Sequence, residues 1–326
     1  MATTNIDLDT SVYLFVQTFA LTKYENMKII LTGSLGNISK TLTKLLVQKG
    51  HDVTVISSKA KRENEIEALG AKAAIGNMED VDFLTKTFKD ADLVYLMEAL
   101  GAGSFFDQNL DYVTAINQIA NNYKQAAQQS GVKQIVHLSS IGAHTDKGNG
   151  MLAFHYNVEN ILKELPEDVS IKFMRPVGFY INMFAFIPTI KSQGVIIQNY
   201  GGDEKEPWVS PLDIAAVIAE EMEKPFDGRE IRYIASDEAS PNEVAKILGE
   251  AIGKPDLKWL VISDDQMLNG MISAGMNPKI AKGLVEMNAG RRSGVLDEDY
   301  YLNRPTLSKF KLADFAKDFA TTFFKS

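Results

Sequence analysis

Three small residues at fixed spacing give this sequence its clearest chemical signal. Gly33, Gly36 and Ser39 form the pattern G-x-x-G-x-x-S between an apolar run at 28–32 and a helical stretch. The first glycine permits a tight turn, and the second lets backbone N–H groups approach a phosphate at the positive end of the helix. Ser39 adds a hydroxymethyl group where the smallest side chains normally occur. The residues predicted to hold a dinucleotide pyrophosphate are Gly33, Ser34, Leu35, Gly36, Asn37 and Ile38. The alternative is a turn that only joins two elements.

The residues after the second predicted strand favour NADP(H) over NAD. Two hydroxyls and three positive charges occur between Ser57 and Arg62, and no acidic residue comes before Glu63. A site for NAD usually has Asp or Glu here to accept from the ribose 2′-hydroxyl. Hydroxyls, Lys and Arg would instead bind a 2′-phosphate. The predicted contacts are Ser57, Ser58, Lys59 and Arg62. The alternative is that the positive charges only form the solvated beginning of the second predicted helix and bind no phosphate.

Further candidates follow the later strands, because parallel sheets bind ligands at the carboxyl ends of their strands. The predicted contacts are Asn77 and Met78 near the adenine, Met97 and Glu98 near the pyrophosphate and ribose, and Ser139 and Ser140 near the ribose or substrate. Each of these residues could equally be an ordinary loop or turn residue.

The usual catalytic pair of short-chain dehydrogenases is missing. In the pattern Tyr-x-x-x-Lys, the lysine lowers the pKa of the tyrosine so that its phenol can exchange a proton with the substrate. The pattern occurs once, as Tyr24 and Lys28, at the wrong end of the predicted sheet. On the helix after the fifth strand, His155 and Glu159 stand four residues apart and share a face. The carboxylate of Glu159 could orient or charge the imidazole of His155 there. The alternative is a half-exposed histidine on an amphipathic helix.

Alternating strands and helices would position these residues. Short apolar runs occur at 28–32, 52–57, 71–76, 91–97, 133–139 and 171–175. Such runs without alternation are typical of parallel strands covered on both faces. Helical stretches such as 42–49, 63–69 and 111–130 separate them. The pattern predicts an α/β fold with a doubly wound parallel sheet.

The alternation of predicted strands and helices ends at Pro176. Irregular aromatic segments follow, and then a mainly helical region. We predict an NADP-binding domain of residues 27–182, with its sheet completed by 207–236. Residues 183–206 and 237–326 would form a smaller substrate-binding part, in which Ser240 and Glu243 predict a helix capping box. Residues 1–26 fall outside the pattern and form an N-terminal extension of unknown role.

Composition excludes several classes of function. The net charge of −8 does not favour binding to nucleic acid or to an anionic membrane. The absence of cysteine excludes thiolate catalysis and fits a reducing, cytoplasmic setting. The four histidines lie far apart, so no metal site is expected. The expected partner is a small-molecule substrate, without nucleic acid or membrane insertion, and a homodimer is compatible with the sequence.

Five segments occur in order along the chain, "KIILTGSLGNIS", "HLSSIGA", "FHYNVENIL", "FMRPVGFYIN" and "WVSPLDIA". Together they resemble the NmrA-like group of atypical short-chain dehydrogenases/reductases, which includes NADPH-dependent quinone oxidoreductases. The resemblance runs from Met27 nearly to the end of the chain. It implies an extended Rossmann fold and NADP binding. It also implies either reductase activity on a small electrophile or a cofactor-sensing role without catalysis.

The same resemblance implies roles for individual residues. Quinone-reductase-like members carry a similar His-x-x-x-Glu beside the nicotinamide, which corresponds here to His155 and Glu159. The resemblance therefore implies that His155 contacts the nicotinamide or substrate and that Glu159 supports it. The backbone of the sixth strand's end would line the nicotinamide, and two aromatic residues would form one wall of the substrate pocket. These residues are Pro176, Val177 and Gly178 for the backbone, and Phe179 and Tyr180 for the wall.

Two functions from different classes remain. The first is an NADPH-dependent reductase that transfers hydride to a quinone-like or carbonyl acceptor. The second is a non-catalytic sensor that binds NADP and passes its state to a protein partner. A sugar-nucleotide epimerase is disfavoured because the Tyr-x-x-x-Lys pair is missing.

Replacing Lys59 and Arg62 with Ala should weaken binding of NADPH far more than binding of NADH. The reason is that only NADPH carries the 2′-phosphate that these charges would bind. Fluorescence titration of both cofactors against the double variant measures the difference, and NADH is the internal control. Equal losses of affinity for the two cofactors would mean that Lys59 and Arg62 do not bind the 2′-phosphate.

Overall fold

Seven parallel strands in one sheet form the centre of the chain. The computed structural model describes residues 26–101 and 103–326. In chain order the strands are β1 Lys28–Leu31, β2 Asp52–Ser57, β3 Lys72–Ile75, β4 Leu93–Leu96, β5 Gln134–Leu138, β6 Ser170–Pro176 and β10 Arg229–Ile234. Their order across the sheet is β10-β6-β5-β4-β1-β2-β3. Because all seven strands are parallel, their carboxyl ends meet along one edge.

Helices cover both faces of this sheet. One face is covered by α1 Ser39–Gln48, α2 Glu63–Glu67 and α7 Pro211–Met222, and the other by α3 Val81–Phe88, α4 Tyr112–Ser130 and α5 Ala153–Lys163. Ile29 and Leu31 face the first group of helices, and Ile30 faces the second. The strands therefore read as continuous apolar runs. The predicted α/β fold with a doubly wound parallel sheet is confirmed.

The remaining elements form a smaller part around a third apolar core, which includes Trp208, Trp259 and Phe315. Its strands are β7 Gly178–Phe179, β9 Glu206–Val209 and β11 Asp237–Ala239 in one small sheet, and β8 Val195–Gln198 with β12 Lys258–Val261 in another. Its helices are α6 Ile187–Gln193, α8 Pro241–Ala251, α9 Asp264–Ser273, α10 Pro278–Arg292, α11 Glu298–Leu302 and α12 Leu312–Lys325. The capping box predicted for Ser240 and Glu243 is present at the beginning of α8.

The division of the chain differs from the predicted one in its details. Strand β10 lies in the segment 207–236 that was expected to complete the sheet, but β9 of that segment joins the three-stranded sheet. Tyr180 belongs to the third core, two residues before the predicted boundary. Residues 1–25, which include Tyr24, lie outside the described residues. Within the described ranges no helix combines the length and apolarity needed to cross a membrane.

Helix α10 packs directly against the loop that leads into α5. A Cβ atom at Gly150 would lie 2.2 Å from the carbonyl oxygen of Gly283, and one at Gly290 would lie 2.0 Å from that of Gly148. These neighbours are backbone atoms, which cannot move aside as a flexible side chain would. The glycines therefore let the smaller part support the beginning of α5.

Replacing Gly290 with Ala should lower the free energy of unfolding by about 1–3 kcal/mol, because the added methyl group overpacks a backbone contact. Gly270 is the matched control: it also lies within a helix, α9, but a Cβ there meets no atom within 4 Å. Gly270→Ala should raise the free energy of unfolding by about 0.5–1 kcal/mol through helix propensity. Urea denaturation measures both, and a Gly290→Ala protein as stable as the parent would contradict the packing described here.

Candidate active site

The loop between β1 and α1 has the backbone geometry of a tight phosphate-binding turn. Gly33 has a φ of 84° and Ser34 a φ of 52°, in the left-handed region that glycine adopts without steric cost. A Cβ atom at Gly33 would lie 2.4 Å from the sulfur of Met97 and 2.7 Å from the hydroxyl oxygen of Ser39. The first position of the pattern therefore requires glycine for both conformation and space.

Gly36 is under less constraint than Gly33, because its φ is not positive. It is exposed, and the nearest atom to an added Cβ would be the carbonyl oxygen of Gly33 at 3.2 Å. A side chain there would extend towards the space in front of the loop, where a phosphate is predicted. Leu35 and Ile38 pack against the core, so only their backbone N–H groups could face a ligand, whereas Asn37 is exposed.

Ser39 fits inside the contact between α1 and β1. It is only 3% exposed, and its hydroxyl donates a hydrogen bond to the carbonyl oxygen of Thr32 at 3.3 Å. The hydroxyl of Thr43 donates to the Ser39 carbonyl oxygen at 2.7 Å. The larger side chain at the third position is therefore accommodated with its polar group satisfied.

Arg62 reaches back to the glycine loop. Its Nη1 donates to the hydroxyl oxygen of Ser34 at 3.1 Å, and the Ser34 hydroxyl donates to that of Ser57 at 2.9 Å. The side chains of Ser58 and Lys59 are exposed beside this group. The structure thus brings together a guanidinium and two hydroxyls from the glycine loop, β2 and the turn after β2. Such donors match a phosphate monoester.

Asn77 and Met78 follow β3, as predicted, but they differ in their surroundings. Asn77 is exposed, and its Oδ1 accepts from the N–H of Glu79 at 3.2 Å. The sulfur of Met78 accepts a hydrogen bond from the Tyr123 hydroxyl at 2.6 Å, and its carbonyl oxygen accepts from Asn122 at 3.2 Å. Met78 therefore links the sheet edge to α4. An adenine contact from either residue stays a prediction.

Two predicted residues follow β4. Met97 lies at the glycine loop, whereas the side chain of Glu98 points into the protein. Thr32 joins β1 to β4, since its hydroxyl oxygen accepts from the Met97 N–H at 2.8 Å, and the Met97 side chain lies against Gly33. Glu98 is buried, and its carboxylate lies 3.1 Å from Nε2 of His137. The structure does not support Glu98 as a cofactor contact, because this side chain turns inward to a strand residue.

Helix α5 carries His155 and Glu159 near one another, but the predicted support of the first by the second is not formed. Arg175 binds both carboxylate oxygens of Glu159, each at 2.8 Å. The same carboxylate accepts from the hydroxyl of Ser139 at 2.6 Å and from Nζ of Lys163 at 3.2 Å. Burial alone would raise the pKa of Glu159, but the hydrogen bonds and charge of Arg175 outweigh it and lower that pKa. Glu159 is saturated by these partners and is a structural anchor.

Arg175 is the central residue that sequence reasoning missed. Besides Glu159, it donates from Nη1 to Asp299 at 3.0 Å and to the hydroxyl oxygen of Tyr233 at 3.3 Å. It therefore connects β6 to α5, α11 and β10. The available signal was a charged residue inside the apolar run "IKFMRP", since a charge on a buried strand requires a partner.

Two further predicted contacts are unavailable to a ligand. The hydroxyl of Ser139 is buried and donates to Glu159. The ring of Tyr180 is fully buried and stacks on Phe315, with ring centres 5.4 Å apart. Tyr180 is a core residue of the smaller part and cannot form a pocket wall. Ser140, which is 9% exposed, remains at the sheet edge and stays a candidate.

The segment 176–178 continues β6 past the sheet edge. A Cβ atom at Gly178 would lie 2.9 Å from Nη2 of Arg291 and 3.0 Å from the ring of Trp208. A larger residue here would require the Arg291 side chain or the Trp208 ring to shift, because α10 and β9 approach so closely. Phe179 is half-buried and packs against the core of the main sheet. Contacts of this segment with a nicotinamide, and of Phe179 with a substrate, stay predictions.

A row of aromatic rings that sequence reasoning did not identify leads to His155. The ring centres of Phe105 and Tyr112 are 5.6 Å apart, those of Tyr112 and Phe154 are 5.8 Å apart, and those of Phe154 and His155 are 4.0 Å apart. Asn277 at the beginning of α10 holds the loop of Phe105, because its N–H donates to the Phe105 carbonyl oxygen at 2.9 Å. The row provides apolar ring surface beside the imidazole, with neighbouring rings inclined to one another by 35° to 64°.

His155 is a neutral imidazole in this setting. Burial, together with the charge of the nearby His137, lowers the pKa of His155 to about 3, and the charge of Glu159 only partly opposes this shift. Its Nδ1 is buried and has no hydrogen-bond partner within the described part of the chain. At neutral pH the ring can donate or accept a hydrogen bond, but it does not carry a charge.

Replacing Glu159 with Gln should lower the free energy of unfolding by about 3–5 kcal/mol, because it leaves the buried charge of Arg175 without its main partner. The matched control is Glu164→Gln, which removes a carboxylate from the exposed pair with Lys124 at the end of the same helix. That change should cost at most about 1 kcal/mol. Chemical denaturation measures both, and similar small losses would contradict the anchoring role of Glu159.

Comparison with known proteins agrees with this architecture. NAD(P)H azoreductase from Xenophilus azovorans is 25% identical over 301 residues, which cover 90% of this chain and 99% of that protein. The structure of an NADPH-dependent quinone oxidoreductase from Escherichia coli in complex with NADPH matches with a TM-score of 0.74 at 20% identity, covering 89% of this chain and 99% of that one. Citrobacter sp. triphenylmethane reductase matches with a TM-score of 0.71 at 19% identity, covering 90% and 99%.

The family assignment follows from a match along most of the sequence. The model of the NmrA-like family matches residues 25–292, which span the main sheet and extend into the smaller part as far as the end of α10. The structural likenesses above cover both parts of the fold as well. This chain belongs to the NmrA-like family.

Proposed function

We propose that this chain is an NADPH-dependent reductase that transfers hydride to a small planar electrophile, such as a quinone, an azo compound or a carbonyl compound. The contact among Ser34, Ser57 and Arg62 is the observation that carries the proposal. It supplies the donors for a 2′-phosphate next to a glycine loop of the required geometry. The named activities of the azoreductase and quinone oxidoreductase relatives support the same reading.

The residues at the sheet edge fit NADPH. Arg62 forms no salt bridge within the described residues and contacts a neutral hydroxyl, so its charge is available to a phosphate. Gly36 leaves open the space in front of the loop. Backbone N–H groups of the segment 33–38 would hold the pyrophosphate at the positive end of α1. The segment 176–178 and Met97 would lie along the nicotinamide half.

When bound, NADPH supplies the hydride. His155 would donate a hydrogen bond to the acceptor oxygen or nitrogen that gains negative charge, which a neutral imidazole does well. Phe105, Tyr112 and Phe154 would give the acceptor apolar contacts and exclude water from one side of it. These roles require no phenol, so the missing Tyr-x-x-x-Lys pair is consistent with reduction of such acceptors.

A second candidate is a non-catalytic sensor that binds NADP and acts through a protein partner. The observation in its favour is the state of Glu159, whose carboxylate is fully occupied by Arg175 and Ser139. His155 therefore has no second acid–base group beside it on α5. Both candidate functions require the cofactor, so they are distinguished by whether the protein turns over an acceptor.

The test is oxidation of NADPH by the purified protein in the presence of a quinone, an azo dye or an aldehyde. We expect steady turnover with at least one acceptor. His155→Ala should lower kcat by about 100-fold, the usual loss for one donor to a developing negative charge. It should leave NADPH affinity within about 2-fold. Gly36→Val is the control for cofactor dependence, because it should abolish binding without disturbing the core.

Tight NADPH binding without turnover of any acceptor would contradict the reductase and favour the sensor. An unchanged kcat in the His155→Ala protein would remove His155 from the site while leaving the reductase in place.

A further inference from the structure

A cleft in the smaller part of the fold lies between two loops. One wall consists of residues 201 and 203–206, at the beginning of β9, and the other of residues 291–294, 297 and 301, between α10 and α11. The volume of the cleft is about 520 Å³, which is in the range of sites that hold one small molecule.

Two contacts join the walls of this cleft. The hydroxyl of Tyr301 donates to the carbonyl oxygen of Lys205 at 2.7 Å. Deeper in the protein, Nη1 of Arg291 donates to Oε2 of Glu206 at 2.8 Å, and both of these side chains are only 9% exposed. The loops are therefore held in a fixed arrangement at both the surface and the inner end of the cleft.

Asp297 is a buried carboxylate on the lining of this cleft. It is 5% exposed, and its Oδ1 is buried without a hydrogen-bond partner among the described residues. Asp297 stands directly before α11, where an aspartate commonly caps a helix, but in the described structure its side chain makes no capping hydrogen bond. Because a buried polar atom without a partner is costly, Asp297 needs a donor that a ligand in the cleft would supply.

Two buried carboxylates depend on the charge of one guanidinium here. Burial raises the pKa of Asp297, and the charges of Arg291 and His144 only partly oppose this shift. Burial also raises the pKa of Glu206 to about 7, and the charge of Asp297 adds to that shift. His144 itself lies 3.2 Å from the carboxylate of Glu298. Negative charge at the inner end of the cleft therefore exceeds the positive charge.

The exposed part of the lining does not supply the missing positive charge. Arg292 donates from Nη1 and Nη2 to the two carboxylate oxygens of Asp264, at 2.9 and 3.0 Å, so its charge is already paired. The other exposed charged residues of the lining are two acids and one base. They are Asp203, Glu204 and Lys205.

We propose that this cleft binds a small organic cation, whose ammonium or amidinium group donates a hydrogen bond to the Asp297 carboxylate. Such a group supplies both the missing donor and the missing charge. The ring of Tyr301, which is 44% exposed, gives the apolar part of the ligand a surface to contact. A metal ion fits less well, because nowhere in the described ranges do three His, Cys, Asp or Glu side chains lie close enough to hold one.

This site goes beyond the proposed reductase function and does not rest on it. In the described structure the lining of the cleft includes neither the glycine loop nor the aromatic row beside His155. Binding can therefore be measured without NADPH, and a failure of the reductase function would leave the test intact.

The test is isothermal titration calorimetry of the wild-type protein with benzamidine and with benzamide. Benzamidine carries an amidinium group on a flat ring, whereas benzamide has nearly the same shape and no charge. We expect a Kd of about 1 mM or lower for benzamidine, and binding at least about 10-fold weaker for benzamide. No binding of benzamidine at about 10 mM, or equal affinities for the two compounds, would overturn the proposal.

Asp297→Asn removes the charge and keeps the shape of the side chain, so it should weaken benzamidine binding by at least about 10-fold. Glu204→Gln is the matched control, because it removes an exposed carboxylate from the same cleft. It should change the affinity by less than about 2-fold, since an exposed charge acts through water. Equal losses in the two variants would mean that general electrostatic attraction binds benzamidine, and would contradict the role of Asp297.

A further comparison needs no variant. Phenyltrimethylammonium has the ring and the charge of benzamidine but no N–H group. Because Oδ1 of Asp297 lacks a donor, this compound should bind the wild-type protein at least about 10-fold more weakly than benzamidine. Equal affinities would overturn the proposal, even if Asp297→Asn does not fold.

Discussion

The ion pair between Arg175 and Glu159 is the interaction on which the geometry of the site depends. It fixes the inner face of α5 to the end of β6, and through Asp299 it also holds α11. Both charges are almost fully buried, so the pair cannot be loosened without exposing an uncompensated charge to the core. His155 lies one helical turn from this anchor. The position of His155 at the sheet edge is therefore fixed by Glu159, whose carboxylate oxygens are already occupied by hydrogen-bond partners.

Much of the fold could be predicted from the sequence because its signals are local. Apolar runs without alternation identify the parallel strands, and the glycine spacing identifies the turn after β1. The site was less predictable because strand-end residues differ in the direction of their side chains. Glu98, Ser139 and Tyr180 all occur where ligands bind in such folds, yet each turns into the protein. Their partners lie 20 to 135 positions away in the sequence, beyond the reach of any local pattern.

The chemistry suggested by the site is that of a neutral imidazole beside apolar aromatic rings. The Tyr-x-x-x-Lys pattern of the usual short-chain dehydrogenases is not found on α5. His155 and Glu159 stand four residues apart on this helix, and the Glu159 carboxylate is bound by Arg175. In the proposed function, Arg62, Ser34 and Ser57 would bind the charged cofactor, and the aromatic row would contact the acceptor.

The proposed NADPH site consists of the glycine loop and Arg62. Paired fluorescence titrations of the wild-type protein with NADPH and with NADH test it most directly. We expect NADPH to bind at least about 10-fold more tightly than NADH, which corresponds to about 1.4 kcal/mol from the charge-assisted contacts to the 2′-phosphate. Equal affinities, a preference for NADH, or no binding of either cofactor would contradict it.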